Sequence, residues 1–255
     1  AGTTYYLLVP GLIGFMEFTF MRRRTDLPLA DLARLMSEYL QEQGQAGQAG
    51  EFFGSRTSLT RALVHEKHIP VSSRITAYED ARRIIEAADF CAVTLCYCRH
   101  KKEHLGQICR KGAPVEDICM VLGEGARFLV RRGFAQQRDK ASLLATLEYA
   151  RSLGLTHVTD NVREQPSFLC NCCRCCCELM AGVQLGFRDG IAKTPFLAEI
   201  DPARCDYCGA CLKTCNVKAI ARAPAARQSA AAVRFAAVDA AVCLGCGACI
   251  PVCER

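Results

Sequence analysis

Apolar residues recur at helical spacing in four stretches of the chain. An amphipathic helix is expected over residues 27–43, followed by a Gly/Gln/Ala loop at 44–50. Thr76-Ala77-Tyr78-Glu79 has the form of a capping box, and Ala81, Ile84, Ile85 and Ala88 share one face of the helix it opens. Two further helices are expected at 115–132 and at Lys140–Ser152. In the latter, Leu144, Leu147 and Arg151 are helically spaced and Gly154 stands where a C-terminal cap belongs. The longest apolar stretch, residues 5–21, is interrupted by Pro10, Gly11, Gly14 and Glu17. It reads as a strand and turn, and no membrane span is expected. The pattern divides the chain into a cysteine-free segment at 1–75, a mainly helical cysteine-rich domain at 76–198, and a tail at 199–255.

The nineteen cysteines change this picture most. Disulfide scaffolds are short, secreted and even-numbered in cysteine, whereas this chain has 255 residues, an odd count, and thiols gathered in tight runs. Thiols kept reduced for metal are the better account, and a cytoplasmic location is favoured. The formal charge of +6 carries little weight, because each four-iron, four-sulfide cube held by four thiolates adds about −2. No nucleic-acid partner is expected.

The tail contains an internal repeat, in which residues 200–205 and onward match 238–243 and onward, with an insertion at 221–232. Cys205, Cys208, Cys211 and Cys215 have the spacing C-x2-C-x2-C-x3-C, and Cys243, Cys246, Cys249 and Cys253 repeat it. Three thiolates two residues apart reach three iron corners of one cube, while the fourth points to the other cube. The ligand sets therefore interleave: Cys205, Cys208, Cys211 and Cys253 for one cluster, and Cys243, Cys246, Cys249 and Cys215 for the second. Gly209, Gly245 and Gly247 let the backbone wrap closely. Zinc has no use for the third cysteine of each set.

From residue 199 to the end the chain resembles the bacterial-type two-cluster ferredoxins. The resemblance implies an α+β fold ending in a ferredoxin-like dicluster domain, built of two short pseudo-symmetric βαβ halves, with two 4Fe-4S clusters. Asn216 and Glu254 depart from it, standing where that family usually has Pro.

A second set of thiols lies upstream: Cys96, Cys98, Cys109 and Cys119, then Cys170, Cys172, Cys173, Cys175, Cys176 and Cys177. Adjacent exposed thiols would oxidise unless ligated, so packing does not explain the run. This arrangement resembles bacterial and archaeal ferredoxin-family proteins in which a region carrying CNCCxCCC precedes the dicluster module. That resemblance covers about 75–255, and more weakly 5–22, and it implies that the upstream cysteines hold one or two more iron–sulfur centres. Ten thiolates suit two more cubes with two left over, or one larger cluster. Cys91 stands outside the pattern and reads as structural.

His100, Lys101, Lys102, Arg110 and Lys111 read as a solvated basic face able to dock an acidic partner, since C-x-C-R-H lacks the spacing of a haem attachment motif. The leading reading is an electron carrier, a subunit or partner of a larger oxidoreductase, served by a flavoprotein or metalloenzyme, rather than an independent enzyme. Two alternatives stand beside it: a reductase with an unusual catalytic cluster among the central cysteines, and an iron–sulfur sensor binding DNA near Arg22-Arg23-Arg24. No catalytic residue is assigned.

Overall fold

The computed structural model describes residues 15–41, 48–65, 67, 80–222 and 235–255. Helices α1 (Phe15–Phe20), α2 (Leu29–Gln41) and α3 (Gln48–Phe53) come first. The expected amphipathic helix is α2, whose Leu29, Ala33, Met36 and Leu40 are buried with Phe20, Ala49 and Phe53. Two expectations are corrected here. Residues 15–20 at the end of the 5–21 stretch form a helix, while 5–14 lie outside the described residues, and residues 48–50 of the predicted loop are helical.

Strands β1 (Thr60–Ala62), β2 (Cys91–Thr94), β3 (Cys119–Leu122), β4 (Ala135–Gln137), β5 (Thr156–Asp160), β6 (Phe168–Cys172) and β7 (Ile191–Ala192) form a mixed sheet. Its order is β4-β2-β3-β6-β5-β1-β7, and every pairing is antiparallel except β1 with β7. The cysteine-rich region is therefore not mainly helical. The strands are three to five residues long or shorter, and β2, β3 and β5 are buried along their whole length. A strand covered on both faces shows an unbroken apolar run without alternation. The helix expected at 115–132 shows the consequence: Cys119-Met120-Val121-Leu122 is β3, and the helix proper, α6, is Gly123–Arg131.

Helix α4 (Ala81–Ala87) begins one residue after Asp80, whose carboxylate accepts from Arg82 N at 2.9 Å. The predicted capping box, Thr76 to Glu79, lies outside the described residues, as does most of the 221–232 insertion. Helix α7 falls at Lys140–Ser152 as expected, capped by Asp139 at its start and followed by Gly154 at φ +64°. α4 and α7 cover one face of the sheet through Ile84, Ile85, Leu143 and Leu147, packed with Val93, Met120 and Leu169.

Helix α5 (Tyr97–His104) follows β2, and α8 (Glu178–Gln184) follows β6. In the tail, α9 (Ala210–Thr214) precedes a hairpin-like pair, β8 (Ile220–Arg222) with β9 (Ala236–Val238), in antiparallel register. The tail docks on the sheet domain. His65 N donates to Cys246 O at 2.9 Å, and Thr194 Oγ1 donates to Gly245 O at 2.9 Å. Gly245, at φ +68°, is required at this contact, since a Cβ there would stand 2.1 Å from Thr194 Oγ1 and 2.2 Å from Phe196 O.

Candidate metal centres

The antiparallel registers bring the upstream cysteines to one end of the sheet. Thr94, at the end of β2, pairs with Cys119 at the start of β3, and β6 runs beside β3 with Cys170 and Cys172 at its far end. Past these ends the chain turns into the two short helices, with Cys96 just before α5 and Cys177 just before α8. All nineteen thiols are free. Cys91 lies apart, buried in the core beside Val93, Met120 and Leu122.

Six of the ten upstream thiols form a closed ring. Cys96 neighbours Cys119, Cys119 neighbours Cys170, Cys170 neighbours Cys172, Cys172 neighbours Cys177, Cys177 neighbours Cys98, and Cys98 neighbours Cys96. Neighbouring thiols favour the thiolate at Cys96, Cys170 and Cys177, while burial opposes it. The ring lines a cavity of about 230 Å³, shared with Tyr97, Arg99 and Asn171. Cys96, Cys98, Cys119, Cys172 and Cys177 are buried around this chamber, and Cys170 is half-buried.

The other four thiols form a tighter nest, of which Cys173 and Cys176 also line that cavity. Cys109, Cys173, Cys175 and Cys176 place their sulfurs within 4.8 Å of one another. Cys109 Sγ lies 3.6 Å from Cys173 Sγ and 3.8 Å from Cys175 Sγ, and Cys175 Sγ lies 3.6 Å from Cys173 Sγ and 3.7 Å from Cys176 Sγ.

A buried cation stands between ring and nest. Arg99, on α5, is 2% exposed. Its Nη2 donates to Asn171 O at 2.8 Å, while its Nε and Nη1 are buried with no hydrogen-bond partner among the described residues. Burial works against its charge, but the thiolates of Cys96, Cys173 and Cys119 outweigh burial and hold the guanidinium protonated. A buried, half-satisfied guanidinium facing thiolates is what an anionic metal centre needs for charge balance. Its only signal in the sequence is its place beside Cys98.

The basic face expected around His100 is corrected. His100 and Lys101 are buried. His100 Nδ1 donates to Phe20 O at 2.7 Å, tying α1 to α5, and Lys101 forms a buried ion pair with Glu178, tying α5 to α8. Lys111 Nζ donates to Gly154 O at 2.7 Å and Thr214 O at 3.1 Å, joining the sheet domain to the tail. Arg110 alone of the five is exposed. The Arg22-Arg23-Arg24 run is also engaged within the chain: Arg23 pairs with Glu103 and Glu116, Arg24 pairs with Asp26, and Arg22 lies 4.5 Å over the Phe134 ring.

In the tail, one cavity is lined by Cys205, Cys208, Cys211 and Cys253, and a second by Cys215, Cys243 and Cys246, with Cys249 reaching both. Cys208 and Cys253 are exposed, so the first cavity lies at the surface. The second faces inward: Thr156 Oγ1 and Cys246 Sγ are 3.6 Å apart, and burial raises the Cys249 thiol to about 12. These thiols stay further apart than those of the nest, and free thiols lining a cavity with glycine-permitted turns fit the cube-type clusters.

Asn216, next to Cys215, joins the second tail cavity to the nest. Its Nδ2 donates to Gly154 O and Thr156 Oγ1, both at 2.9 Å, and its Oδ1 accepts from Arg174 N at 3.1 Å, in the loop between Cys173 and Cys175. The Asn at this position, a departure from the ferredoxin pattern, thus has a structural reason: Pro has no side-chain amide to make these bonds.

Neither a curated protein nor a solved structure matches the chain. Residues 204–255 match the family model of the 4Fe-4S dicluster domain. The tail therefore carries two 4Fe-4S clusters, set against a mixed α/β domain that holds a further group of cysteines.

Proposed function

We propose that the chain is an electron-transfer subunit, or dedicated partner, of a larger oxidoreductase in the cytoplasm. It extends the ferredoxin-like tail inward through the central cysteines, as in the ferredoxin-family proteins with a CNCCxCCC region. When bound, the clusters supply one-electron oxidation and reduction. Cys205, Cys208, Cys211 and Cys253 hold the outer cluster, and Cys243, Cys246, Cys249 and Cys215 hold the inner one. The two halves of the tail repeat each other in ligand placement. The six ring cysteines, Cys96, Cys98, Cys119, Cys170, Cys172 and Cys177, hold a further iron–sulfur cluster in the chamber.

The observation that carries this reading is the continuity from the tail to the centre. Cys208 and Cys253 are at the surface, where a flavoprotein or metalloenzyme partner can approach. The inner set touches Thr156, and Asn216 ties Thr156 to the loop of the nest. Arg99 then faces thiols of both nest and ring. Each residue along this line has a positioning or charge-balancing task.

Stepwise reduction of the anaerobically prepared protein, followed by electron paramagnetic resonance, tests the proposal. An electron-carrying chain takes up electrons one at a time with no added substrate. A paramagnetic signal from the central region that changes when small molecules are added would move the reductase reading ahead.

A further inference from the structure

The nest and the tail differ in how far apart they hold their thiols, and the difference is chemically specific. Around one tetrahedral metal ion with metal–sulfur bonds of ~2.3 Å, the sulfurs lie about 3.8 Å from one another. In a cube each thiolate extends outward from its own iron corner, so the four sulfurs are held much further apart. The measured sulfur separations in the nest are 3.6, 3.8, 3.6 and 3.7 Å. The eight tail cysteines form no group with sulfurs mutually within 4.8 Å.

We propose that Cys109, Cys173, Cys175 and Cys176 bind a single thiophilic d-block ion, iron or zinc, in a tetrahedral four-thiolate site, and not a 4Fe-4S cube.

Binding releases four thiol protons to solvent, forms four metal–sulfur bonds and leaves a divalent centre with a net charge of about −2. The surroundings are built for that charge. The backbone N–H of Arg110 donates to Cys175 Sγ at 3.4 Å. Arg99, with two buried guanidinium nitrogens unpartnered, faces Cys173, and the Lys111 ammonium is held close by on Gly154 O and Thr214 O. Carboxylate ligands are absent from the group, which favours a soft ion over magnesium or calcium. As zinc the site would lock the Cys173 to Cys176 loop onto the segment around Cys109. As iron it would add a one-electron stop between the inner tail cluster and the ring. The inference concerns the nest alone and stands apart from the redox role of the tail.

The test compares the anaerobically purified protein with Cys109→Ser, measuring iron, zinc and acid-labile sulfide per chain. Loss of one metal ion with sulfide unchanged, and with the resonance of the tail clusters intact, supports the proposal, and the element lost decides between zinc and iron. Loss of about four irons together with four sulfides shows a cube and overturns it, as does no loss of metal. Should the variant fail to fold, the unaltered protein answers instead. Zinc-edge X-ray absorption, or Mössbauer spectra after iron-57 enrichment, should show a mononuclear four-sulfur centre, and its absence from both overturns the proposal.

Discussion

The backbone N–H of Arg174 donates to the side-chain oxygen of Asn216 at 3.1 Å, and through this one bond the loop of the central nest is fixed to the residue after Cys215. Asn216 also satisfies Gly154 O and Thr156 Oγ1. Asn216→Leu keeps much of the volume and removes all three bonds, leaving the Arg174 N–H and Thr156 Oγ1 without this partner while Lys111 still holds Gly154 O, at a cost of about 1–3 kcal/mol. Denaturant unfolding of the cluster-loaded protein should show that loss, while absorbance of the tail clusters persists. An unchanged midpoint would show that Asn216 ties nothing together.

Lys101 and Glu178 are 0% and 1% exposed, and their ion pair joins the helices that begin at Cys96 and Cys177. Burial raises the Glu178 carboxyl, and the Lys101 ammonium opposes that rise. Lys101→Met leaves a buried carboxylate without its partner and should destabilise by about 3–5 kcal/mol. The double variant Lys101→Met, Glu178→Leu should recover most of the loss, because replacing both partners by apolar groups removes the uncompensated charge. Urea unfolding of the three proteins provides the check, and equal destabilisation in single and double variants would contradict it.

His157 is fully buried between His65, at a ring separation of 4.6 Å, and Asn171, which accepts from its Nδ1 at 2.6 Å. Burial, followed by the positive fields of His65 and Arg151, holds its imidazole well below the usual histidine range. The unfolded chain binds a proton at this position below about pH 6.5, whereas the folded chain does not. Unfolding therefore gains as pH falls: the stability is fully present above that pH and declines by about 1.4 kcal/mol per pH unit below it. Unfolding free energies measured between pH 5 and 7 should show this slope, reduced by one proton in His157→Gln.

The tail was legible because its information is local. Three cysteines at two-residue spacing define a turn whatever surrounds it, and the dicluster family model covers that same stretch of the chain. Helix α7 was legible for a similar reason, since its face and its Gly154 stop lie within fifteen residues. The sheet was not. Its strands are short, and β2, β3 and β5 are buried along their whole length, so periodicity was silent there, and Cys96, Cys119 and Cys170 meet only through pairings between distant segments. The division of ten thiols into a ring of six and a nest of four depends on those registers. Arg99 and Lys101 were hidden too, because a charge next to cysteines reads as surface until packing encloses it.

The central claim is that the tail holds two cubes that exchange single electrons and connect inward. Its most direct test is an anaerobic stepwise reduction of the whole chain, followed by electron paramagnetic resonance and compared with Cys208→Ser. The unaltered protein should show two low-potential cube signals that broaden one another once both are reduced, and Cys208→Ser should lose the outer signal and the mutual broadening while the inner one remains. A chain with no reducible cube signal, or a Cys208→Ser variant that keeps every signal unchanged, would contradict the account.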